Sequence, residues 1–416
     1  MRTLLTLQKG SRRTGRWEEP RRQLSKSWTL GMMQGLYCLH AQVLRDVAYP
    51  STRDIYGNAR PMDVETPIIN SSLWTYPIGH YDKFVRSVLQ VSSPGGRGRA
   101  INRIGVYNDG AVEFHSTEFP GYLNGIVIGT DNTPAAPSDF FLGNLIAEGS
   151  DGTIAPGSKM DSIETGDDTY VNENNYVCSG SSQLWYFWPK KAMLLSSVDL
   201  KGYRGGAPGD ITLSIYETQG RYGTPFLIAT ATTNADGWTT DTAGDWYNFP
   251  LAAAVRLYPG ITYKFELTGT QASPNCGYFR YKRYTAPDDN YIPSQDVISQ
   301  RAWNYWTYGS TYYCVAIPMY KLNGSATPEV NYGACGIENL VLAAVSSFDI
   351  KRLFTNRSGE DISVNECGIL AMGGKRDTGT TGGAFPYLIA RDVIAPAITL
   401  SDDEILAVTY TPTTTV

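Results

Sequence analysis

The chain has 416 residues, enough for two or three domains, and it combines 42 glycines, 23 prolines and 28 tyrosines with only 18% charged residues. This composition favours turns and aromatic strand faces, so we expect a mainly β protein. The formal net charge of −5 argues against bulk nucleic-acid binding, and no apolar run reaches the length of a membrane span.

The first thirty residues are basic, whereas the rest of the chain is acidic. Residues 2–26 hold eight basic side chains against two glutamates, a net of about +6, which leaves the remainder close to −11. We predict that residues 1–30 form a basic arm that has no core of its own and becomes ordered against partner subunits. Its predicted assembly contacts are Arg12, Arg13, Arg16, Arg21, Arg22 and Trp28. The segment lacks the apolar stretch of a signal peptide, so we expect a soluble protein made in a cytoplasm.

One α-helix is predicted, at about residues 25–47. Ser25 or Ser27 can cap its first turn, and apolar side chains recur every three to four residues after it. The stripe consists of Trp28, Met32, Leu36, Leu39 and Val43. Two interpretations stay open: the helix docks on a neighbouring subunit, or it covers the open edge of its own sandwich.

Short β segments separated by turns follow, up to about residue 177. Alternating residues on both sides of the Asn-Asp-Gly turn at 108–110 predict a hairpin there.

The composition then changes, because six of the nine tryptophans lie between residues 178 and 322. Strict alternation predicts strands at 211–215 and 263–267. The runs MLLSSVDLKGYRGGAPGDITLSIYET and LYPGITYKFEL resemble jelly-roll modules of the carbohydrate-binding kind. We therefore predict a jelly-roll domain at 178–322.

Aromatic stretches in this domain could stack on sugar faces, because amphipathic rings bury area at low entropic cost. The predicted contacts to a glycan or a partner are Trp185, Trp188, Trp303, Tyr305 and Trp306. The alternative is packing in the core, since alternation turns about half of such rings inward. The acidic residues of 161–173 or 288–289 would suit a calcium site, but their spacing matches no defined calcium loop.

The last seventy residues read as closely spaced strands. A hairpin is predicted with Phe348, Ile350 and Arg352 on one face, a polar turn at 356–359, and Ile362, Val364 and Glu366 in the return strand. More strands follow, and the last of them, 405–411, places Val408 and Tyr410 on its core face.

Two parts of the sequence carry a resemblance to a known family. The runs FTNRSGEDISVNECGIL, LIARDVIAPAITL and ILAVTYT, together with IVIGTDNTPAAPSDFFLGNLIAEGSDGTI at 126–154, resemble a virion structural protein family that is widespread in tailed bacteriophages. The resemblance implies one antiparallel β-sandwich made of residues 31–177 and 323–416. The domain at 178–322 is then an insertion in this host domain.

Catalytic chemistry has few candidates in the sequence. His40, His80 and His115 do not stand at metal or triad spacing. A carboxylate pair such as Asp199 with Glu217 could cleave a glycoside only if a cleft brings the two together. The six cysteines contain no C-x-x-C, and we expect reduced, packed thiols, with an occasional bridge as the alternative. We predict no catalytic residue, no metal and no cofactor.

The leading hypothesis is a non-enzymatic structural component of a tailed-phage virion, assembled in the host cytoplasm in multiple copies on the capsid, neck or tail. Its predicted partners are other virion proteins, copies of itself and a host-surface glycan, with no membrane and no specific nucleic acid. The alternatives are a carbohydrate-binding adhesin or receptor-binding protein, and a β-rich polysaccharide-degrading enzyme. The basic arm and the helix favour the first, because a free lectin or secreted enzyme needs neither.

Overall fold

The computed structural model describes residues 2–25, 29, 51–61, 104–106, 112–114, 123, 125–149, 159–163, 176–189, 192–218, 226–259, 261–285, 297–300, 314–342, 344–375 and 383–415. Within these residues the chain is mainly β and pairs its strands almost entirely antiparallel.

The first ten strands are β1 (Arg2–Ser11), β2 (Arg21–Ser25), β3 (Ser51–Arg53), β4 (Ala59–Pro61), β5 (Ile104–Val106), β6 (Val112–Phe114), β7 (Gly125–Gly129), β8 (Ala147–Glu148), β9 (Lys159–Ile163) and β10 (Tyr176–Val177). The next eleven are β11 (Gln183–Pro189), β12 (Met193–Gly205), β13 (Asp210–Thr218), β14 (Phe226–Asn234), β15 (Asp245–Leu257), β16 (Thr262–Gly269), β17 (Cys276–Phe279), β18 (Tyr281–Thr285), β19 (Val297–Gln300), β20 (Cys314–Pro318) and β21 (Tyr320–Ala326). The last six are β22 (Glu329–Tyr332), β23 (Gly336–Val341), β24 (Val345–Thr355), β25 (Ile362–Lys375), β26 (Gly383–Leu400) and β27 (Glu404–Thr415).

The first sandwich packs two sheets face to face. One has the order β2-β1-β27-β24-β22-β8, with β23 also on β24, and the other has the order β26-β25-β7. Leu406, Val408 and Tyr410 alternate along β27 and are fully buried between the sheets, which confirms the predicted core face of this strand. The two strands of the hairpin predicted around 108–110 are also confirmed, because β5 pairs with β6 antiparallel.

The predicted hairpin between β24 and β25 is wrong, because the two strands belong to different sheets. β24 pairs with β27, whereas β25 pairs with β26 and β7. The polar turn between them is a corner of the sandwich built on the buried side chain of Asn356. Its amide nitrogen donates to the carbonyls of Glu360 and Leu400, at 2.6 and 2.7 Å, and its oxygen accepts from the Ser358 amide at 2.9 Å. Alternation shows which face a residue occupies, but it does not show which strand lies alongside.

The basic N-terminal segment also differs from the prediction, since it is part of the first sandwich rather than an arm without a core. β1 pairs with β27 over its whole length, from Arg2 opposite Thr413 to Ser11 opposite Glu404, and β2 pairs with β1. Leu5 and Leu7 alternate with polar residues and are buried. Their small number among many charges concealed this pattern in the composition.

The predicted helix at 25–47 lies outside the described residues, except at two positions. Ser25 is the last residue of β2, and its hydroxyl donates to Asp392 Oδ2 at 2.7 Å. The Thr29 hydroxyl donates to the carbonyl of Leu388 at 2.6 Å.

The second sandwich is built from the chain between β9 and β21. One sheet has the order β10-β17-β12-β21-β9, with β15 on β12, and the other has the order β14-β13-β16-β11-β19. The predicted strands at 211–215 and 263–267 are confirmed, with their alternate apolar side chains buried. β9 and β10 pair inside this unit, so it spans 159–326 and extends beyond the predicted 178–322 at both ends. The tryptophan-rich composition begins later than the unit does, which explains the difference.

The apolar core of the second sandwich is shared with one outer face of the first sandwich, whose own core between its two sheets is a separate cluster. The outer face of the β26-β25-β7 sheet contributes Val127, Leu370 and Leu388, which belong to the same cluster of buried residues as Met193 and Tyr258 of the second sandwich. Polar contacts also cross this boundary, such as the 2.6 Å hydrogen bond between the hydroxyls of Tyr56 and Tyr263 and the 2.7 Å bond from the Ala192 amide to Glu329 Oε1. Each sandwich therefore covers an apolar surface of the other.

This shared core makes a prediction about excision. We expect a chain in which a short Gly-Ser linker replaces 159–326 to aggregate, because Leu370 and Leu388 then face water. The same chain with Leu370→Ser and Leu388→Ser should stay soluble. Soluble yield and light scattering of the two chains, made in parallel, measure the difference. A monomeric, soluble first version would show that the shared core does not protect the first sandwich.

Candidate functional site

The guanidinium of Arg391 on β26 is the centre of a buried polar network. Its Nε donates to Glu366 Oε2 at 2.7 Å, its Nη1 to Asp139 Oδ2 at 2.8 Å, and its Nη2 to Asp131 Oδ2 at 2.8 Å. Nη2 also donates to the carbonyl of Thr133 at 3.1 Å. Arg391 lies opposite Gly368 on β25, and Glu366 is two residues further along the same strand, so the two side chains meet diagonally on one face.

The carboxylate of Glu366 ties a long loop to this sheet. The side chain is fully buried, and it accepts hydrogen bonds from the backbone amides of Asn144 at 2.9 Å, Gly143 at 3.2 Å and Asp131 at 3.3 Å. A side chain at Gly129 would collide with Glu366, so glycine is needed for this close approach. Glu366 therefore holds both ends of the loop from Thr130 to Asn144 on β25.

Three carboxylates around one guanidinium leave the site with a formal excess of negative charge. Partial burial raises the pKa of Asp131, but hydrogen bonds from Thr133 and the charge of Arg391 outweigh it, so this pKa lies below its usual value. Burial lowers the pKa of Arg391, and its bonds to Asp139 and Glu366 more than compensate, so the guanidinium is held charged. Because all three carboxylates already accept hydrogen bonds from Arg391, the network suits a structural clamp better than acid–base catalysis.

A second buried cation lies in the same sandwich. Arg352 points inward from β24, on the strand face that the sequence assigns to it together with Ile350, and its Nη1 donates to the carbonyl of Ile126 at 2.7 Å. The guanidinium carbon lies 5.3 Å from the centre of the Tyr332 ring. Burial lowers the pKa of Arg352. This residue joins β24 of one sheet to β7 of the other.

The network residues were not singled out from the sequence. Asp131, Asp139, Glu366 and Arg391 lie in three segments that are distant along the chain, and only the fold brings them together. All three segments are among the runs that carry the phage-family resemblance. The available signal was Glu366, a carboxylate that continues the apolar alternation of Ile362 and Val364 in the sequence.

The predicted glycan contacts are not assembled into a described site. Trp185 is buried and stacks on Phe265 with the ring centres 5.1 Å apart, so its ring belongs to the core and does not face a ligand. Trp188 lies in β11. Trp303, Tyr305 and Trp306 lie outside the described residues.

The predicted assembly contacts lie at the edge of the first sandwich. Arg12, Arg13 and Arg16 are exposed in the segment that joins β1 to β2, and Arg22 is exposed on β2. The Arg21 Nη1 donates to the carbonyl of Pro396 at 2.6 Å and ties β2 to β26. Trp28 lies outside the described residues.

Asp199 and Glu217 do not form a glycosidase pair. Asp199 lies between the buried Val198 and Leu200 of β12 and points away from the core, where it accepts a hydrogen bond from Asn248 at 2.6 Å. Glu217 is buried on β13, in the opposite sheet of the sandwich. In the part of the chain that the structure describes, no three His, Cys, Asp or Glu side chains are grouped to hold a metal. That part also holds no helix of the length and apolarity needed to cross a membrane.

An exposed apolar surface stands at the end of the β23–β24 hairpin. Leu340, Val341, Leu342 and Val345, which we call the apolar tip, are between 48% and 78% exposed. Asn339 precedes them in the left-handed conformation, with φ at 54°, and its side-chain amide donates to Asp349 Oδ2 at 2.8 Å. Four neighbouring apolar side chains on one projecting turn are typical of a contact with another protein surface.

These features define the chain as an antiparallel β-sandwich protein with two packed sandwiches, a buried ionic clamp and an exposed apolar tip. No protein-family model matches the chain, and no curated protein matches it either. Among solved structures it is similar to an aminopeptidase from the marine sediment archaeon Thaumarchaeota archaeon, with 13% identity over 52% of this chain and 39% of that chain. The TM-score is 0.17, which supports no argument about fold or activity.

Proposed function

We propose that the chain is a non-enzymatic structural component of a tailed-phage virion, which assembles in multiple copies on the capsid, neck or tail. The observation that carries this proposal is the Arg391 network. Its residues come from three separate runs that resemble the phage family, and they meet in one buried clamp. The resemblance therefore falls on a single structural unit. In this proposal the second sandwich is the part displayed on the particle.

The surface of the first sandwich supports contacts between copies. The apolar tip exposes four aliphatic side chains, and burial of each in a neighbouring pocket is worth about 1.5–3 kcal/mol. Arg12, Arg13 and Arg16 form an exposed basic turn on a chain whose net charge is −5, so an acidic surface of a second copy complements it.

The direct test is the protein composition of purified particles. Cells infected with a phage that carries this coding sequence should release particles in which mass spectrometry finds the chain in many copies. Antibodies are raised against the full chain, and those that bind the second sandwich are selected. They should decorate the particles at regular positions in electron micrographs. Particles that are infectious and lack the chain would overturn the proposal.

The apolar tip gives a second test, on the isolated protein. We expect Leu340→Asp with Leu342→Asp to weaken self-association by about tenfold or more per side chain, because charged groups cannot enter an apolar pocket. Mass photometry across a concentration series gives the oligomer fraction. The matched control is Leu227→Asp, which changes a leucine of 48% exposure on β14 of the second sandwich.

Both variants should melt within about 2 °C of the wild type, because exposed positions contribute little to the stability of the fold. If the tip variant self-associates as the wild type does, the apolar tip is not the contact between copies. The proposed place in a virion would then still stand or fall on the particle experiment.

A further inference from the structure

Two cysteines of the second sandwich face each other across neighbouring strands. β10 pairs with β17 antiparallel, with Tyr176 opposite Tyr278 and Val177 opposite Gly277. The same register places Cys178, the next residue, opposite Cys276. Directly opposed residues in antiparallel strands have their Cα atoms about 4.5–5.5 Å apart, which lies within the range of about 4.4–6.8 Å that a disulfide spans.

The side chains of this pair point to the same side of the sheet. Alternation puts them on the face of Tyr176 and Tyr278, whose ring centres are 6.1 Å apart. The backbone at Cys178 is held by a tight turn, because Cys178 and Ser181 exchange backbone hydrogen bonds of 3.2 and 3.0 Å. The two thiols are therefore brought together by strand pairing on one side and by a turn on the other.

In the structure the two thiols are reduced, buried and in contact with each other. Cys178 and Cys276 are both buried. Burial, together with a hydrogen bond to the Cys178 thiol, raises the pKa of Cys276 to about 11. Cys276 is therefore protonated at neutral pH, where exchange with an external disulfide is slow, and raising the pH accelerates it.

We propose that Cys178 and Cys276 form a reversible disulfide that fastens β10 to β17 when the protein meets an oxidising solution. The oxidant is a small disulfide such as oxidised glutathione. One cysteine thiolate attacks it, the S–S bond of the reagent breaks, and one glutathione thiol leaves. The second cysteine thiolate then attacks the mixed disulfide and releases the second glutathione thiol. The two protons of the cysteines end on the two glutathione thiols, and the cysteines are oxidised as the reagent is reduced.

The bond would fasten a short strand of the second sandwich. β10 has two residues, and β17 is the strand with which it pairs in the described part of the chain. A cross-link between Cys178 and Cys276 closes a loop of about 100 residues, the range in which the loss of unfolded-state entropy is large. In a reducing cytoplasm the pair stays open, and after release into an oxidising solution it closes.

The test uses the full chain, purified under reducing conditions and then held at pH 8.5 with oxidised glutathione or with reduced glutathione. Free thiols are alkylated, and the protein is mapped by mass spectrometry without reduction. The expected result is a peptide pair joined through Cys178 and Cys276, formed faster at pH 8.5 than at pH 7 and lost on addition of dithiothreitol. The oxidised protein should melt about 5–15 °C higher than the reduced protein.

Two variants separate this link from general oxidation. Cys178→Ser should abolish both the joined peptides and the rise in melting temperature, whereas Cys335→Ser, which changes a buried thiol of the first sandwich, should retain both. Wild-type protein in which both thiols stay free, or in which either joins a different cysteine, would overturn the proposal. A correct link without a rise in melting temperature would overturn its role as a fastener of β10.

Discussion

Val408→Asp is expected to prevent folding of the first sandwich, whereas Thr409→Asp is expected to leave the chain folded. Val408 is fully buried in β27, where Leu7 of β1 and Arg352 of β24 lie beside it. A buried charge or polar group without a partner costs several kcal/mol, comparable with the whole stability of a domain, about 5–15 kcal/mol. Thr409 lies on the opposite face, beside Thr6 and Lys351, and is partly exposed.

Arg352 across the strand gives the Val408→Asp experiment a needed control. A new carboxylate could pair with this guanidinium, although a carbonyl and the Tyr332 ring already contact it. Asparagine has nearly the same shape as aspartate but no charge, so Val408→Asn should also fail to fold. The soluble yield and the thermal midpoint of the three variants show which of them fold. Equal behaviour of the substitutions at 408 and 409 would show that the register of β27 is wrong.

Arg391→Met is expected to destabilise the first sandwich by about 3–5 kcal/mol, because it leaves the buried Glu366 carboxylate and two aspartates without their cation. The matched control is Arg13→Met, which removes an exposed arginine and should change the free energy of unfolding by less than about 0.5 kcal/mol. Urea unfolding at pH 7 measures both. Similar losses in the two variants would show that the Arg391 network does not stabilise the fold.

The pH dependence of the same variant distinguishes lost charge balance from lost packing. In the wild type the folded pKa of Asp131 is lowered, so its contribution is complete above the unfolded pKa and is lost as the pH falls through the folded value. Without Arg391 the positive charge that lowers the pKa of Asp131 is gone while the neighbouring negative charges remain, so its folded pKa rises. Between pH 7 and pH 5 the variant should therefore gain stability while the wild type does not. Parallel stability curves over this range would contradict the electrostatic explanation.

The sequence was informative wherever one strand decided the outcome by itself. Alternation predicted the strands that contain Leu213 and Phe265 and the core face of Val408, and composition indicated a mainly β chain, all as observed. Errors arose where the outcome depended on a distant partner. The turn at Asn356 has the polar composition of a hairpin turn, yet hydrogen bonds to Glu360 and Leu400 make it a corner between sheets.

The Arg391 network and β1 also could not be predicted from the local sequence alone. Arg391 could be assigned a role only after the fold had brought it to Glu366 and to the loop of Asp131, because no local pattern joins these residues. The sequence of β1 alone resembles a charged arm. Leu5 and Leu7 are recognised as core residues only once the pairing of β1 with β27 is known.

The pairing of β1 with β27 also orders events during synthesis. β1 leaves the ribosome about 400 residues before β27, the strand that buries Leu5 and Leu7, so the first sandwich cannot close until β27 has been made. The strands of the second sandwich, from β9 to β21, are all made before β22, but Leu370 and Leu388, which complete its buried cluster, follow later. A chain interrupted before β27 would expose the strand edges of both β1 and β24, which makes such fragments prone to aggregation and to early degradation.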